Sequence, residues 1–314
     1  MMNQKVAVVL VTFNRLDKLK ISLECYEKQE YPLERIIVVD NCSSDGTVEF
    51  LREWQAEAGA FRREALYLKE NTGGAGGFGS GMEYALKRMD EGVFEADWIL
   101  VSDDDAFPEP DAVKQLIYYY NRQTLEVQNG IVALSSSVIN KGEIHESHRS
   151  RIQRSALRVR FVGVSKEEYE KEAFDIDLFS YVGTMIKTSA LRKAGTTNKA
   201  LFIYGDDNEH SIRLAKMGRL LVVPASRYIH DTPGVETRSV GWHNYYNRRN
   251  QLYILKKYFP KRYFYSRMIK RMILDESLIS KYTKEERNLF KTARLDAMSE
   301  RLGKHSKYRP GFHM

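Results

Sequence analysis

Short apolar runs alternate with amphipathic helical patterns through the first half of the chain. Apolar runs lie at Val6–Val11, Ile36–Val39, Leu66–Leu68 and Trp98–Val101, and helix-type spacing lies between them, as at Leu16–Tyr26. Strands with helices on both faces have continuous apolar runs of this kind, because both of their sides are buried. The pattern therefore predicts an α/β fold with a mainly parallel sheet flanked by helices.

The pattern is less regular in the second half. It predicts strands at Ile131–Ser136, Phe179–Ile186 and Leu220–Val223, and a helix at about Asn208–Met217 that ends before a glycine. Residues 140–160 are polar and have no period that indicates a helix or a strand. We therefore leave this segment unassigned.

Basic residues are concentrated near the C-terminal end. The net charge is +7, but residues 241–274 contain nine Lys/Arg and no Asp/Glu, so the rest of the chain carries −2. The aromatic residues between these charges are Trp242, Tyr245, Tyr246, Tyr253, Tyr258, Phe259, Tyr263, Phe264 and Tyr265. Basic and aromatic residues together suit an anionic surface, such as phosphate groups, nucleic acid or membrane headgroups. We expect helices with basic faces in this region.

The two cysteines, Cys25 and Cys42, provide no disulfide framework. A reducing cytoplasm is therefore the expected compartment. No apolar run approaches the ~18 residues that a membrane span requires, and the first one is too short for a secretory signal.

Polar residues follow four successive predicted strands. They are Thr12-Phe13-Asn14-Arg15, Asp40-Asn41, Asn71-Thr72-Gly73-Gly74 and Asp103-Asp104-Asp105. In open α/β sheets, ligands bind at the carboxyl ends of the strands. We therefore expect a cation, carboxylates and glycine amides to meet at one edge of the sheet.

The three consecutive aspartates indicate a metal site. In an extended segment, Asp103 and Asp105 project to the same side and can share a divalent cation with phosphate oxygens. Like charges this close are costly without such a cation. The alternative is an acidic loop that caps the following helix.

The glycine-rich run 73–81 contains a G-x-G-x-x-G match at Gly74, Gly76 and Gly79. The match is weak evidence for a dinucleotide site, because it follows the third strand and not the first. We interpret the run as a loop whose backbone comes close to a ligand and offers amides to it. A merely flexible loop is the alternative.

A second acidic cluster begins with Asp206 and Asp207, at the expected start of a helix. Helix capping explains one aspartate, but hardly two. A carboxylate near a metal–phosphate site could accept a proton from an attacking hydroxyl group. His230 follows the later strand and could bind the same cation, although a structural histidine is an equally open interpretation.

These motifs together resemble family 2 inverting glycosyltransferases, which have the GT-A fold. The resemblance covers about 6–250 and rests on Val11–Arg15, Val38–Asn41 with Asp45-Gly46-Thr47, Asp103–Asp105, Gly205–Asp207 and Tyr245–Asn250. Within the family, the stretch from Asn71 to Phe78 is most similar to bacterial galactofuranosyltransferases that use UDP-galactofuranose. Asn247 departs from the pattern, because a histidine is expected there. Rhamnosyltransferases and other hexosyltransferases share much of the scaffold.

The resemblance implies a role for each site residue. Asp207 would be the general base that deprotonates the acceptor. Asp103, Asp105 and His230 would bind Mn²⁺ or Mg²⁺. The acceptor would contact Asp206, Glu209 and Trp242. The nucleotide sugar would be held by Thr12, Phe13, Arg15, Asp40, Asn71, Gly73, Gly74, Asp104 and Arg249.

The resemblance also implies a setting for the enzyme. Residues 1–240 would form the nucleotide-sugar-binding and catalytic domain, and 241–314 a helical extension on the membrane or acceptor side. The acceptor would be a glycan, either polysaccharide or polyprenyl-diphosphate-linked, at the inner face of the cell membrane, where basic residues attract anionic lipid. A homo-oligomer is left open.

Two other functions are weighed against this interpretation. The basic stretch alone would also suit a nucleic-acid-binding protein, but such a module does not need four polar strand ends, so we expect no nucleic-acid partner. A nucleotidyltransferase would need a glycine-rich basic loop after the first strand, and Val11–Arg15 has no glycine.

Overall fold

A computed structural model describes residues 4–57, 62–232, 240–277 and 282–312. The strands are β1 Val6–Thr12, β2 Arg35–Asp40, β3 Arg62–Tyr67, β4 Trp98–Asp103, β5 Ala106–Pro108, β6 Ile131–Asn140, β7 Glu143–Ile144, β8 Arg149–Arg154, β9 Val159–Gly163, β10 Phe174–Ile176, β11 Leu178–Phe179, β12 Thr184–Lys187 and β13 Arg219–His230.

The helices are α1 Leu16–Glu27, α2 Thr47–Ala56, α3 Gly73–Asp90, α4 Ala112–Arg122, α5 Leu125–Gly130, α6 Thr188–Ala194, α7 Asp206–Leu214, α8 Trp242–Tyr258, α9 Lys261–Ser277 and α10 Lys284–Met298. Short 3-10 turns lie at 146–148, 166–170 and 199–201. Within the described ranges, no helix is both long and apolar enough to cross a membrane.

A mixed sheet with the strand order β10-β13-β6-β12-β4-β1-β2-β3 forms the centre of the fold. The pairs β3-β2-β1-β4 and β6-β13 are parallel, whereas β12 runs antiparallel between β4 and β6. Alternate residues of β1 are buried on opposite faces, Val8 and Leu10 in one apolar cluster and Val9 and Val11 in the other. This two-sided burial confirms the predicted α/β sheet with helices on both faces.

The unassigned segment 140–160 forms β7, β8 and the first two residues of β9. The strands β11, β8 and β9 make a small separate sheet. The prediction of one strand over Phe179–Ile186 was wrong, because the strand is interrupted between β11 and β12. Gly183 has a φ of +60° at this break, and a Cβ there would lie 2.6 Å from the ring of Tyr228.

The glycine run was expected to be a loop, but it forms the first half of α3. Its glycines allow the helix to lie directly on β1, since a Cβ on Gly77 would be 2.6 Å from Val11 and one on Gly81 would be 2.5 Å from Val9. Close packing against the sheet therefore outweighs the low intrinsic helix propensity of glycine.

Many of the aromatic residues in the basic stretch are buried and do not form a surface. Tyr245 and Tyr246 of α8 pack with Leu289 and Phe290 of α10 and with Phe202. The stretch is amphipathic, and its aromatic side completes an apolar core. The division of the chain at 240/241 stays a prediction.

Candidate functional site

A cavity of about 280 Å³ opens where β1 and β4 end and α3 begins. The lining residues that the sequence predicted as site residues are Thr12, Phe13, Arg15, Asn71, Gly73, Gly74, Asp103, Asp104 and Trp242. Asn41, which follows the second predicted strand, also lines it, together with residues that we did not predict, namely Val11, Phe202, Ile203 and Pro310. The polar residues that follow separate strands therefore lie together in one concave site, as expected.

Asp104 connects the ends of β1 and β4. Its carboxylate accepts a hydrogen bond of 2.7 Å from the Thr12 hydroxyl and one of 3.1 Å from the Arg15 guanidinium. Asp104 is 3% exposed, and burial raises the pKa of its carboxyl group to about 6 although Arg15 opposes the shift. These bonds fix the orientation of Arg15 at the mouth of the cavity.

Asp105 joins Arg15 to His230. Asp105 Oδ2 accepts a 2.7 Å hydrogen bond from Arg15, and Asp105 Oδ1 lies 3.3 Å from His230 Nε2. Burial opposes ionisation of Asp105, but His230 and Arg15 together lower the pKa of its carboxyl group. Asp105 Oδ1 is buried and, apart from this contact with His230, has no hydrogen-bond partner among the described residues.

The start of α3 is held by amide and glycine contacts. Asn41 accepts a hydrogen bond from the Thr72 amide and donates one to the Gly73 carbonyl. The amides of Gly73 and Ala75 donate to Asn71 Oδ1 and to the Phe202 carbonyl. These two amides therefore donate their hydrogen bonds to acceptors within the protein. They are not available to a ligand, contrary to our expectation for the glycine run.

Gly73 is required for this arrangement, and we predict that Gly73→Ala destabilises the protein. Its φ is +71°, and a Cβ would lie 2.0 Å from the Phe202 carbonyl oxygen. We expect the free energy of unfolding in urea to fall by about 2–4 kcal/mol.

The neighbouring glycine provides a matched control. Gly74 has ordinary backbone angles, and no atom lies within 4 Å of the position of its Cβ. Gly74→Ala should therefore leave the unfolding free energy unchanged or raise it by up to about 1 kcal/mol. Equal effects of the two substitutions would contradict the role assigned to Gly73.

The second acidic cluster begins α7. Gly205 precedes it with a φ of +77°, and the Asn208 amide donates a 2.6 Å hydrogen bond to Asp207 Oδ1. Burial raises the pKa values of Asp206 and Asp207. The charge of Asp206 also contributes to raising the pKa of Asp103, after burial and the neighbouring aspartates. The two acidic clusters thus lie within electrostatic reach of each other.

Arg149 lies beneath this site and was not predicted. It is fully buried, and it donates hydrogen bonds to the carbonyl groups of Ser136, His148, Ser180 and Val182. Burial lowers the pKa of its guanidinium group to about 10. Its positive charge favours the ionised form of Asp207. No motif indicates this role, because Arg149 lies in the segment without a period.

Three histidines converge beside Asp105. One nitrogen from each of His145, His148 and His230 lies within 4.8 Å of the others. Sequence reasoning found only His230. The H-x-x-H spacing of His145 and His148 was a signal that we could have used, although such a pair is common without a metal.

Seven predicted site residues do not line the cavity, namely Asp40, Asp105, Asp206, Asp207, Glu209, His230 and Arg249. The Asp40 carboxylate accepts a hydrogen bond from the Ser43 amide. Arg249 is 1% exposed and donates to the carbonyl groups of Leu201 and Gly303. Glu209 is also buried; it pairs with Arg213 at 2.9 Å and accepts a hydrogen bond from the Tyr258 hydroxyl. Their contacts with the nucleotide or the acceptor stay predictions.

Comparison with known proteins supports the resemblance to family 2 glycosyltransferases. The family model described as Glycosyl transferase family 2 matches residues 7–193. The galactofuranosyltransferase GlfT1 of Mycobacterium tuberculosis H37Rv is 28% identical over 225 residues, which are 69% of this chain and 66% of GlfT1. The chain thus spans slightly less than two thirds of that relative.

Solved structures show the fold. TarS of S. aureus superposes with a TM-score of 0.57 at 15% identity, covering 94% of this chain and 49% of TarS. The mannosyltransferase PcManGT of Pyrobaculum calidifontis, solved with GDP-Man and Mn²⁺, has a TM-score of 0.58 at 14% identity and covers 96% of this chain and 88% of PcManGT. These similarities confirm the expected GT-A fold.

Proposed function

We propose, because the chain belongs to glycosyl transferase family 2, that it is an inverting, metal-dependent glycosyltransferase that transfers galactofuranose from UDP-galactofuranose. The acceptor would be a lipid-linked or polysaccharide glycan in cell-surface glycan synthesis. One observation carries this proposal: the cavity at the strand ends is lined by nine residues predicted to contact the donor, the metal or the acceptor. The similarity to GlfT1 favours galactofuranose as the sugar.

The reaction requires a base on the acceptor side of the donor. Asp207 would take the proton of the acceptor hydroxyl while its oxygen bonds to the anomeric carbon. The bond from that carbon to the phosphate oxygen breaks at the same time, and UDP leaves from the opposite face. The charge of Arg149 favours the ionised carboxylate that this step needs.

The leaving diphosphate requires positive charge. Arg15 lies at the cavity, held by Asp104 and Asp105. Asp103, Asp105 and His230 would hold Mn²⁺ or Mg²⁺; the buried Asp105 Oδ1, which faces His230 Nε2 at 3.3 Å, suits a cation shared with that ring. When bound, such an ion neutralises charge on the diphosphate.

The donor can be tested with a panel of nucleotide sugars. The protein would be incubated with Mn²⁺, a polyprenyl-diphosphate-linked glycan and one of UDP-galactofuranose, UDP-galactopyranose, UDP-glucose or dTDP-rhamnose. We expect the fastest acceptor-dependent nucleotide release from UDP-galactofuranose. Faster release from another donor would overturn the sugar assignment, and release from none would overturn the transferase proposal.

We also propose that α9 binds the cytoplasmic face of the membrane. One apolar row of α9 belongs to the core, since Phe264 and Met268 are buried. A neighbouring row is exposed instead, with Tyr265 and Ile269 each 56% and Ile273 59% exposed. These positions share one helix face, and exposed basic residues accompany them, which suits an anionic lipid surface.

Vesicle sedimentation tests this membrane contact. Replacing both Ile269 and Ile273 with glutamate should weaken binding to vesicles containing anionic lipid by at least about tenfold, because apolar burial and charge attraction are both lost. Ile21→Glu is the matched control, since Ile21 is 47% exposed on α1. Equal binding of the α9 variant and the control would exclude α9 as the contact.

A further inference from the structure

Another cavity, of about 320 Å³, lies between β9, α8 and α9. It is separate from the cavity at the strand ends, because the two have no described lining residue in common. The volume falls in the range of ~300–1,000 Å³ that small-molecule sites have. Its lining includes Val159, Arg160 and Phe161 of β9, Gln251 and Leu255 of α8, and Arg267 of α9.

Three arginine side chains lie in or near this cavity. Arg160 and Arg267 line it. Burial lowers the pKa of the Arg267 guanidinium group, and the charges of Arg158 and Arg160 lower it further. Among the residues that the structure describes, none of these three arginines forms an ion pair with a carboxylate. Like charges brought together without a counter-ion are unfavourable, so the cluster favours an anionic ligand.

Hydrogen bonds hold the polar groups of the cavity in place. Arg267 Nη2 donates a 3.0 Å hydrogen bond to the Val159 carbonyl. A guanidinium group has five N–H donors and this contact uses one, so Arg267 can still donate to a ligand. Gln251 Oε1 accepts a 2.8 Å hydrogen bond from Arg271, and Gln251 Nε2 donates to Asn247. The polar side of the cavity is therefore formed before a ligand binds.

The other side of the cavity is apolar. Phe161 and Leu255 line it, and both pack in the apolar cluster that joins α8 to α9. Among the described lining residues, Gln251 is the only uncharged polar side chain. A nucleotide would need further partners for its base and ribose. A phosphate group joined to a hydrocarbon chain matches both sides of the cavity.

We propose that this cavity binds the diphosphate of a polyprenyl-diphosphate-linked acceptor. Arg160 and Arg267 donate to the phosphate oxygens, which guanidinium groups match in geometry, and Phe161 and Leu255 contact the hydrocarbon chain. The role of the cavity as an anchor for the acceptor rests on the proposed function. The binding of an isoprenoid diphosphate requires no sugar transfer.

Helix α8 connects this cavity to the cavity at the strand ends. Trp242 begins α8 and lines the cavity at the strand ends, and Gln251 lies nine residues later in the same helix. At 1.5 Å per residue, the two positions are ~14 Å apart along the helix axis. A diphosphate bound beside Gln251 would therefore leave room for a glycan that extends along α8 to the reacting hydroxyl group.

Calorimetric titration of the full-length protein with farnesyl diphosphate tests this proposal without a sugar donor. A chelator is present to remove any metal ion that could draw the diphosphate into the cavity at the strand ends. We expect one equivalent to bind. Arg160→Ala and Arg267→Ala should each weaken binding at least about tenfold, because a hydrogen bond between charged groups is lost. Inorganic diphosphate should bind at least about tenfold more weakly, because it has no chain to bury.

Arg192→Ala is the matched control, since Arg192 pairs with Asp90 at 2.7 Å and does not line the cavity. It should retain wild-type affinity. Melting temperatures check folding, and if Arg267→Ala is unstable, Arg160→Ala decides alone, because Arg160 is exposed on β9. Wild-type affinity in folded Arg160→Ala would overturn the proposal. Equally tight binding of inorganic diphosphate or of dihexanoyl-phosphatidylglycerol would overturn the assignment to a lipid diphosphate.

Kinetics with two acceptors separate this proposal from the enzyme function. Arg160→Ala should raise the KM for the polyprenyl-diphosphate-linked glycan at least about tenfold more than the KM for the same glycan without lipid and diphosphate. An equal change in both values would contradict the anchor role. A protein that binds farnesyl diphosphate through Arg160 but transfers no sugar would contradict only the proposed function.

Discussion

Replacing Asp207 with asparagine should lower the turnover number of sugar transfer by about 10²–10⁴-fold and leave UDP affinity unchanged. Asparagine keeps the shape of the side chain, and its carbonyl oxygen can still accept the 2.6 Å hydrogen bond from the Asn208 amide. It cannot take a proton from the acceptor. Initial rates with saturating donor and acceptor give the turnover number, and calorimetry gives the UDP affinity.

An exposed carboxylate serves as the control for this charge change. Asp175 pairs with Arg219 at the surface, at 2.9 Å. Asp175→Asn should therefore keep wild-type turnover. Near-normal turnover in Asp207→Asn would contradict the assignment of the base, whereas loss of UDP affinity together with turnover would indicate a role in donor binding.

Replacing Asp105 with asparagine should abolish the part of UDP affinity that depends on Mn²⁺. The substitution removes the charge beside His230 and weakens the 2.7 Å contact with Arg15. We expect at least about a tenfold loss of affinity in the presence of Mn²⁺, down to the value that the wild type shows with chelator. Calorimetric titrations with Mn²⁺ and with chelator measure both values.

Asp90 offers the matched control for this second substitution. It carries a similar charge on the surface, where it pairs with Arg192 at 2.7 Å. Asp90→Asn should retain the full Mn²⁺ effect. A wild-type protein that binds UDP equally well with and without chelator would contradict the metal dependence itself.

The strand ends could be predicted because an apolar run in the sequence indicates both a buried strand and the position where that strand ends. A continuous apolar run indicates a strand buried on both faces, and its first polar residues mark where that strand leaves the core. Thr12 and Asp104 follow this rule, and their 2.7 Å hydrogen bond joins two segments that are far apart in the chain. The cavity between them was therefore foreseeable without any knowledge of the helices.

The start of α3 could not be predicted in this way. Glycine disfavours a helix in isolation, and the cause of the helix here is the missing side chain, which lets Gly77 and Gly81 lie against β1. Such contacts exist only after the sheet has formed. Local propensity therefore gave the wrong answer where tertiary packing determined the structure.

His145, His148 and Arg149 were missed for a related reason. They lie in a segment without hydrophobic periodicity, and their partners come from β6, β13 and the residues before β12. Arg149 bonds the carbonyl groups of Ser136 and Val182, which are remote in sequence. Long-range polar contacts of this kind leave no pattern in neighbouring residues.

Titration of UDP and Mn²⁺ into the wild type and into Gly74→Leu is the most direct test that the cavity at the strand ends is the nucleotide site. Gly74 lines the cavity, and the space at its Cβ position is open, so leucine should occupy the cavity without unfolding the protein. We expect one UDP to bind per wild-type chain and the variant to bind at least about tenfold more weakly at an unchanged melting temperature. Equal UDP affinity in the two folded proteins would contradict the central claim.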